Sequence, residues 1–93
     1  MRITDSVALD CARAGVDVRC NSVHPGFIRT AIIERYFAKH GEAEATRKLT
    51  KSIPMKRLGQ PDDVAYAVVY LASDESRFTT ASELKVDGGI AAA

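Results

Sequence analysis

The 93 residues suffice for one domain with a modest hydrophobic core. The apolar and charged fractions, 46% and 27%, are those of an ordinary globular protein. A formal net charge of +1 excludes the strong positive field on which binding to nucleic acids or anionic membranes depends. Neither a long apolar run nor a secretory leader is visible, so we predict a cytoplasmic protein with no nucleic-acid or membrane partner and no metal site.

The first part of the chain predicts a helix followed by a strand. The helix is expected over Met1–Ala14 and ends before Gly15; one apolar stripe at helical spacing indicates it: Ile3, Val7, Cys11 and Ala14. Alternating apolar and polar residues predict a strand over Asp17–Val23. A helix followed at once by a strand is half of a parallel βαβ crossover. Within this chain only the C-terminal strand could supply the parallel partner.

The two cysteines do not have the spacing of a metal or redox site. Cys11 and Cys20 both fall on faces that the pattern predicts to be buried. We therefore expect them to pack as small apolar residues.

The stretch behind the first strand predicts a ligand contact at Pro25–Thr30. Pro25 fixes its own φ and lacks an amide donor, whereas Gly26 allows a sharp turn or a close approach to the backbone. Ligands of open parallel sheets bind beyond the carboxyl ends of the strands. The alternative interpretation is that Pro25-Gly26 only terminates the strand.

Residues 30–53 predict two short helices joined at His40-Gly41. The first helix has an apolar face at helical spacing: Ala31, Ile32, Ile33, Tyr36 and Phe37. Two interpretations remain open from the spacing alone. The helices either pack on the core as surface elements or form an amphipathic flap over whatever binds at Pro25–Thr30.

The last third of the chain predicts one long helix and one short strand. Gln60-Pro61-Asp62-Asp63 is typical of a helix start, because proline suits the first helical position and acids favour the helix N-terminus. We predict a helix over Pro61–Ser73 that is apolar on more than one side, which makes a subunit interface plausible. A strand over Glu83–Val86 is expected to end at Asp87-Gly88-Gly89.

Three segments in sequence resemble the short-chain dehydrogenase/reductase (SDR) family: RCNSVHPGFIRT, PMKRLGQPDDVAYAVVYLASDES and ELKVDGG. The resemblance covers essentially the whole chain but only the C-terminal part of the family's domain. It implies an α/β fold, the C-terminal portion of a Rossmann-type doubly wound parallel sheet, with two strands and about four helices here. Residues 1–93 would then be a C-terminal fragment of one Rossmann domain. The family usually has Thr-Gly before its last strand, and Thr80-Ala81 stands here. Either Ala81 is strained, if that turn needs a positive φ, or the turn has a different shape.

The resemblance also implies a cofactor, NAD or NADP. It assigns cofactor binding to Pro25, Gly26, Phe27, Ile28 and Thr30. Backbone groups at Ile28, helped by the Thr30 hydroxyl, would hold the nicotinamide carboxamide. Residues 30–53 match the family's substrate lid, and the helix Pro61–Ser73 and strand Glu83–Val86 match surfaces that the family uses to form homo-oligomers.

No catalytic residue is carried over from the family. Its acid/base pair is Tyr-x-x-x-Lys, with a helping Ser, and none of Tyr36, Tyr66 and Tyr70 has a lysine four positions on. The phosphate-binding G-x-x-x-G-x-G is also missing from these residues. By the residue patterns alone, His24 and Asp87 are better explained as structural residues than as general bases, and Asn21, which matches a family Asn, is also structural.

We therefore expect part of an NAD(P)-dependent oxidoreductase that interconverts a secondary alcohol and a ketone, with these 93 residues inactive alone. The short segments HPG, LASDES and SEL are similar to segments of family members that act on steroid or alicyclic alcohols. The alternative is a non-catalytic, truncated module that acts in self-association or in binding another protein.

Overall fold

A computed structural model describes residues 2–93 as an α/β chain with four α-helices and a two-stranded parallel sheet. The helices are α1 (Ile3–Arg13), α2 (Ala31–His40), α3 (Glu42–Thr50) and α4 (Pro61–Ala72). The strands are β1 (Ser22–Pro25) and β2 (Glu83–Val86), and short 3-10 turns occupy Asp74–Ser76 and Ile90–Ala92. No helix within residues 2–93 has the length and apolar character needed to cross a membrane.

The C-terminal strand supplies the parallel partner that the helix–strand order requires. β1 pairs with β2 from Ser22 opposite Glu83 to Pro25 opposite Val86. The two strands therefore end at the same edge. The turns that follow them begin at Gly26 and at Asp87 and are neighbours.

The predicted bounds of the first strand, Asp17–Val23, are wrong, because the strand lies at Ser22–Pro25. Before Ser22 the chain bonds to a loop instead of a strand. The Arg19 guanidinium donates to Ser76 Oγ at 2.9 Å, and the Asn21 amide donates to the Thr79 carbonyl at 3.1 Å. A strand ladder therefore begins only where β2 begins.

The expectation for the two cysteines needs correction, whereas the one for the first helix does not. Cys11 and Cys20 are half-buried instead of buried. The predicted first helix is confirmed over Ile3–Arg13. Its expected start at Met1 lies outside the described residues.

The start of α4 is confirmed in detail. Pro61 occupies the first turn, and the Gln60 amide donates to Asp63 Oδ2 at 2.8 Å, which satisfies an amide that has no partner inside the helix. The helix contacts both strands, yet none of its side chains is fully buried. Tyr66 and Val69 remain 68% and 65% exposed, so the outer face of α4 is apolar and uncovered by residues 2–93.

The principal core lies beneath α2 and α3. Phe37, Ala45, Ile53 and Leu58 form its buried cluster. The two helices are joined at His40-Gly41 as predicted, with Gly41 at a φ of 82°. The α2–α3 pair is therefore a packed unit beside the sheet edge where both strands end.

Candidate functional site

The turn after β1 lies unusually close to the turn after β2. The Gly26 amide donates to the Val86 carbonyl at 3.0 Å. A Cβ atom on Gly26 would lie 2.8 Å from Asp87 Cβ and 2.9 Å from Asp87 Cα. Since Asp87 is itself fixed by the Gly89 amide, 2.9 Å from its Oδ1, only glycine fits at position 26 without displacing the backbone.

A short parallel bridge between Ile28 and Gly59 fixes the rest of the turn. The Gly59 amide donates to the Phe27 carbonyl at 2.9 Å, and the Arg29 amide donates to the Gly59 carbonyl at 2.8 Å. In this pattern the N–H and C=O of the residue between, Ile28, point away from the partner segment. Among residues 2–93 neither group of Ile28 forms a hydrogen bond.

Thr30 follows Ile28 by two positions and is the N-cap residue of α2. Its carbonyl accepts the Glu34 amide at 2.9 Å, whereas its hydroxyl makes no capping hydrogen bond. Thr30 is exposed, and the Phe27 side chain is 42% exposed. The turn thus presents a backbone donor, a backbone acceptor, a hydroxyl and an apolar ring.

The structure brings all five predicted cofactor-binding residues into this one turn. They are Pro25, Gly26, Phe27, Ile28 and Thr30. Their binding role stays a prediction. A carboxamide, which offers one N–H₂ and one C=O, matches the donor and acceptor that Ile28 leaves open.

A cleft of about 490 Å³ opens beside Phe27, between the two turns. Charged side chains of both signs line it: Arg57, Asp63, Lys85 and Asp87. Both acids already accept hydrogen bonds from backbone amides. The position of the cleft agrees with the rule that ligands bind where parallel strands end.

The other polar residues singled out in the sequence have structural partners. His24 Nε2 lies 2.7 Å from Ser22 Oγ. The Asp87 carboxylate accepts the amides of Gly89 and Ala91, which is typical of a turn-forming acid. Asn21 joins the Thr79 carbonyl to the Ser82 amide. Within the described residues no group of His, Cys, Asp and Glu is arranged to hold a metal ion.

Sequence reasoning missed two residues that shape the turn. Gly59 forms the backbone bridge to Ile28, and a Cβ there would lie 2.6 Å from Ile28 Cδ1, so a larger residue would make the Ile28 side chain rotate away. Arg29 forms ion pairs with Glu34 and Glu42. Hydrogen bonds from the guanidinium to Glu34 and Glu42 raise the pKa of Arg29 above its ordinary value. The acids lie five and thirteen positions away, and neither spacing is a recognisable signal in the sequence.

Comparison with known proteins identifies the family. A family model described as enoyl-(acyl carrier protein) reductase matches residues 1–91, and the solved structures similar to this chain include short-chain dehydrogenases. The chain belongs to the short-chain dehydrogenase/reductase family. The α/β fold with a Rossmann-type parallel sheet is thereby confirmed.

Two curated SDR relatives match nearly the whole chain. The NADP-dependent (R)-specific alcohol dehydrogenase of Lentilactobacillus kefiri is 47% identical over 90 residues, covering 97% of this chain and 34% of that enzyme. The cyclohexanol dehydrogenase of an Acinetobacter strain is 44% identical over 86 residues, covering 92% of this chain and 30% of that enzyme. This SDR chain spans about a third of the length of the curated relatives that it matches.

The structural comparison agrees with the sequence comparison. The crystal structure of a short-chain dehydrogenase family protein from Francisella tularensis superposes with a TM-score of 0.82 at 35% identity. The superposition covers 98% of this SDR chain and 39% of that protein. The arrangement of the two strands and four helices is therefore that of a corresponding part of a larger SDR domain.

Proposed function

We propose that this chain supplies the nicotinamide-binding turn of an NAD(P)-dependent oxidoreductase that interconverts a secondary alcohol and a ketone. One observation carries the proposal: the backbone N–H and C=O of Ile28 have no hydrogen-bond partner among residues 2–93, on a turn that the bridge to Gly59 holds in place. A donor and an acceptor at a fixed separation suit a carboxamide. The NADP-dependent relative, 47% identical to this chain, supports the same cofactor class.

The bound nicotinamide dinucleotide would supply hydride exchange at the C4 atom, so that alcohol and oxidised cofactor give ketone, reduced cofactor and a proton. The chain's own residues would orient the nicotinamide ring and enclose the reacting atoms. The Ile28 backbone would hold the carboxamide of the nicotinamide, and the Thr30 hydroxyl would add a third hydrogen bond. Helices α2 and α3, within the proposed lid 30–53, would exclude water from the reacting atoms.

The proposed reaction needs an acid/base that these residues do not provide. None of the three tyrosines has a lysine four positions on, whereas the family uses a Tyr-x-x-x-Lys pair. We therefore propose that residues 1–93 are a C-terminal fragment of one Rossmann domain and are inactive alone. The whole gene product is therefore the species to assay. We also propose that it is located in the cytoplasm.

We propose an alicyclic or steroid alcohol as the substrate. Phe27 is 42% exposed and Ile32 is 73% exposed, so the side chains beside the turn and on the lid offer an apolar surface. The relative named cyclohexanol dehydrogenase supports an alicyclic substrate. Cyclohexanol and a hydroxysteroid are therefore the first alcohols to test.

The experiment that tests the proposed function compares variants of Thr30 in the whole gene product. Thr30→Val removes the hydroxyl at constant shape, and Thr30→Ser retains it. We expect Thr30→Val to weaken NAD(P)H binding about 2- to 10-fold, the value of one hydrogen bond, with Thr30→Ser close to wild type. The measurement is the dissociation constant from nicotinamide fluorescence. Absence of NADH and NADPH binding to the wild-type protein refutes the proposed function.

A second candidate function, non-catalytic self-association, is favoured by the outer face of α4. Tyr66 and Val69 are more than half exposed on a helix otherwise rich in apolar residues. Large apolar patches typically mark contact surfaces. We propose a homo-oligomer through Pro61–Ser73 and Glu83–Val86. Sedimentation of Tyr66→Glu against wild type tests it, and an unchanged oligomer would refute it.

A further inference from the structure

One guanidinium joins the proposed cofactor turn to both helices that follow it. Arg29 Nε donates to Glu34 Oε1 at 2.6 Å, on α2, and Arg29 Nη2 donates to Glu42 Oε1 at 2.8 Å, at the start of α3. The Arg29 Cζ atom also lies 4.8 Å from the centroid of the Phe37 ring. Arg29 thus contacts three residues on two helices.

The backbone of Arg29 belongs to the turn and not to the helices. Its amide donates to the Gly59 carbonyl at 2.8 Å, within the bridge that fixes Ile28. The backbone from which the Arg29 side chain extends is therefore held in place, one residue from the unpaired groups of Ile28. Any movement of Glu34 or Glu42 away from the turn must break a charged hydrogen bond.

Such a restraint acts across the connection between α2 and α3, beside the hydrogen bonds from the Gly41 amide to the Phe37 carbonyl and from the Ala45 amide to the Gly41 carbonyl. Gly41 joins the helices at a φ of 82°, and no atom lies within 4 Å of the place where its Cβ would be. The joint is thus open and conformationally permissive. Phe37, which is 5% exposed and belongs to the core, gives Arg29 a fixed surface on α2. The ion pair with Glu42 then adds a restraint on α3 to the one that the buried Ala45 already provides.

We propose that Arg29 is a positioning residue that clamps α2 and α3 against the turn at Ile28 and thereby sets how readily the lid opens. Lysine cannot replace it, because only a planar guanidinium pairs with two carboxylates and stacks on a ring at once. The catalytic part of this inference rests on the proposed function. The structural part, control of the opening of residues 31–50, does not.

The test is amide hydrogen exchange of the whole gene product, wild type against Arg29→Lys. We expect amides of residues 31–50 to exchange up to about tenfold faster in Arg29→Lys, because an ammonium can pair with one of the two carboxylates but cannot also keep the second ion pair and the contact with the Phe37 ring. High salt should accelerate the same amides in the wild type, since the carboxylates are exposed. Amides of α4 should be unaffected.

Arg47→Lys is the matched control. Among the described residues Arg47 pairs only with Glu44, three residues away on the same helix, so its replacement should leave the opening of the α2–α3 pair unchanged. Equal exchange in residues 31–50 for Arg29→Lys and Arg47→Lys overturns the clamp. Glu42→Gln, which removes only the bond to α3, should accelerate exchange in α3 more than in α2, and the reverse order also overturns it.

A kinetic measurement separates the clamp from the proposed function. For Arg29→Lys we expect the KM for the alcohol to rise about 3- to 10-fold while NAD(P)H affinity changes less than twofold, because the Gly59 bonds still hold the turn. If exchange accelerates but KM is unchanged, the coupling to substrate binding is wrong. If the wild type lacks NAD(P)H binding, the proposed function fails while the exchange experiment still decides the clamp.

Discussion

Replacing Gly26 by alanine tests the geometry of the turn with a single methyl group. The new Cβ would lie 2.8 Å from Asp87 Cβ and 2.9 Å from Asp87 Cα, where ordinary contacts begin at 3.4 Å. Asp87 cannot yield easily, since Gly89 and Ala91 amides hold its carboxylate. The two turns must therefore separate by about 0.6 Å, at a typical overpacking cost of about 1–3 kcal/mol.

The displacement should affect cofactor binding and turnover more than it affects the free energy of unfolding. Ile28 lies two residues from Gly26, and a shift approaching 1 Å at a positioning group reduces turnover by about 10- to 100-fold. We expect Gly26→Ala to lower kcat/KM by that factor and to weaken NAD(P)H binding. The assays are fluorescence titration, steady-state kinetics and denaturant unfolding of the whole gene product.

Gly15→Ala is the control with the same chemical change. Gly15 has a φ of 71° but no atom within 4 Å of its would-be Cβ, so alanine there costs conformational strain of about 1–2 kcal/mol without a clash. It should destabilise the protein comparably and leave NAD(P)H affinity unchanged. If the two variants bind the cofactor equally well, the reasoning that links the Gly26–Asp87 contact to the site is refuted.

Two further predictions concern stability, measured by urea unfolding. Ala81→Gly should stabilise the protein by about 0.5–1 kcal/mol, because Ala81 has a φ of 60° and the relieved strain exceeds the added entropy of the unfolded glycine; a loss of stability would contradict this. Ile53→Ala should cost about 2–5 kcal/mol, since Ile53 is 2% exposed within the core. Ile32→Ala, at a position 73% exposed, should change stability by less than about 0.5 kcal/mol, and equal effects of the two isoleucine variants would disprove the placement of the core.

The elements that the sequence predicts well are those with local causes. The start of α4 follows from Gln60, Pro61 and Asp63 within four positions, and the break at Gly41 follows from one residue. The family's Thr-Gly leaves two outcomes open at Thr80-Ala81, a strained Ala81 or a differently shaped turn, and the positive φ of Ala81 decides for strain. Each of these features depends on neighbours along the chain.

The features that the sequence does not reveal depend on partners far along the chain. The strand begins late because Arg19 and Asn21 bond to carbonyl and hydroxyl groups 54 to 60 positions away, and no periodicity reports such a bond. The bridge between Ile28 and Gly59 and the pairing of Arg29 with Glu42 are hidden for the same reason. The turn could therefore be located from the sequence, but not the groups that orient it.

The distance along the chain between the two strands has a consequence for folding. The Ser82 amide meets the Asn21 side chain across 61 positions, so pairing of β1 with β2 must close a very long loop, which makes it a slow step. The contacts between α2 and α3 are local and can form early. During synthesis Pro25-Gly26 is made long before Asp87. The segment proposed to hold the nicotinamide is therefore the last part of this chain to acquire its native neighbours.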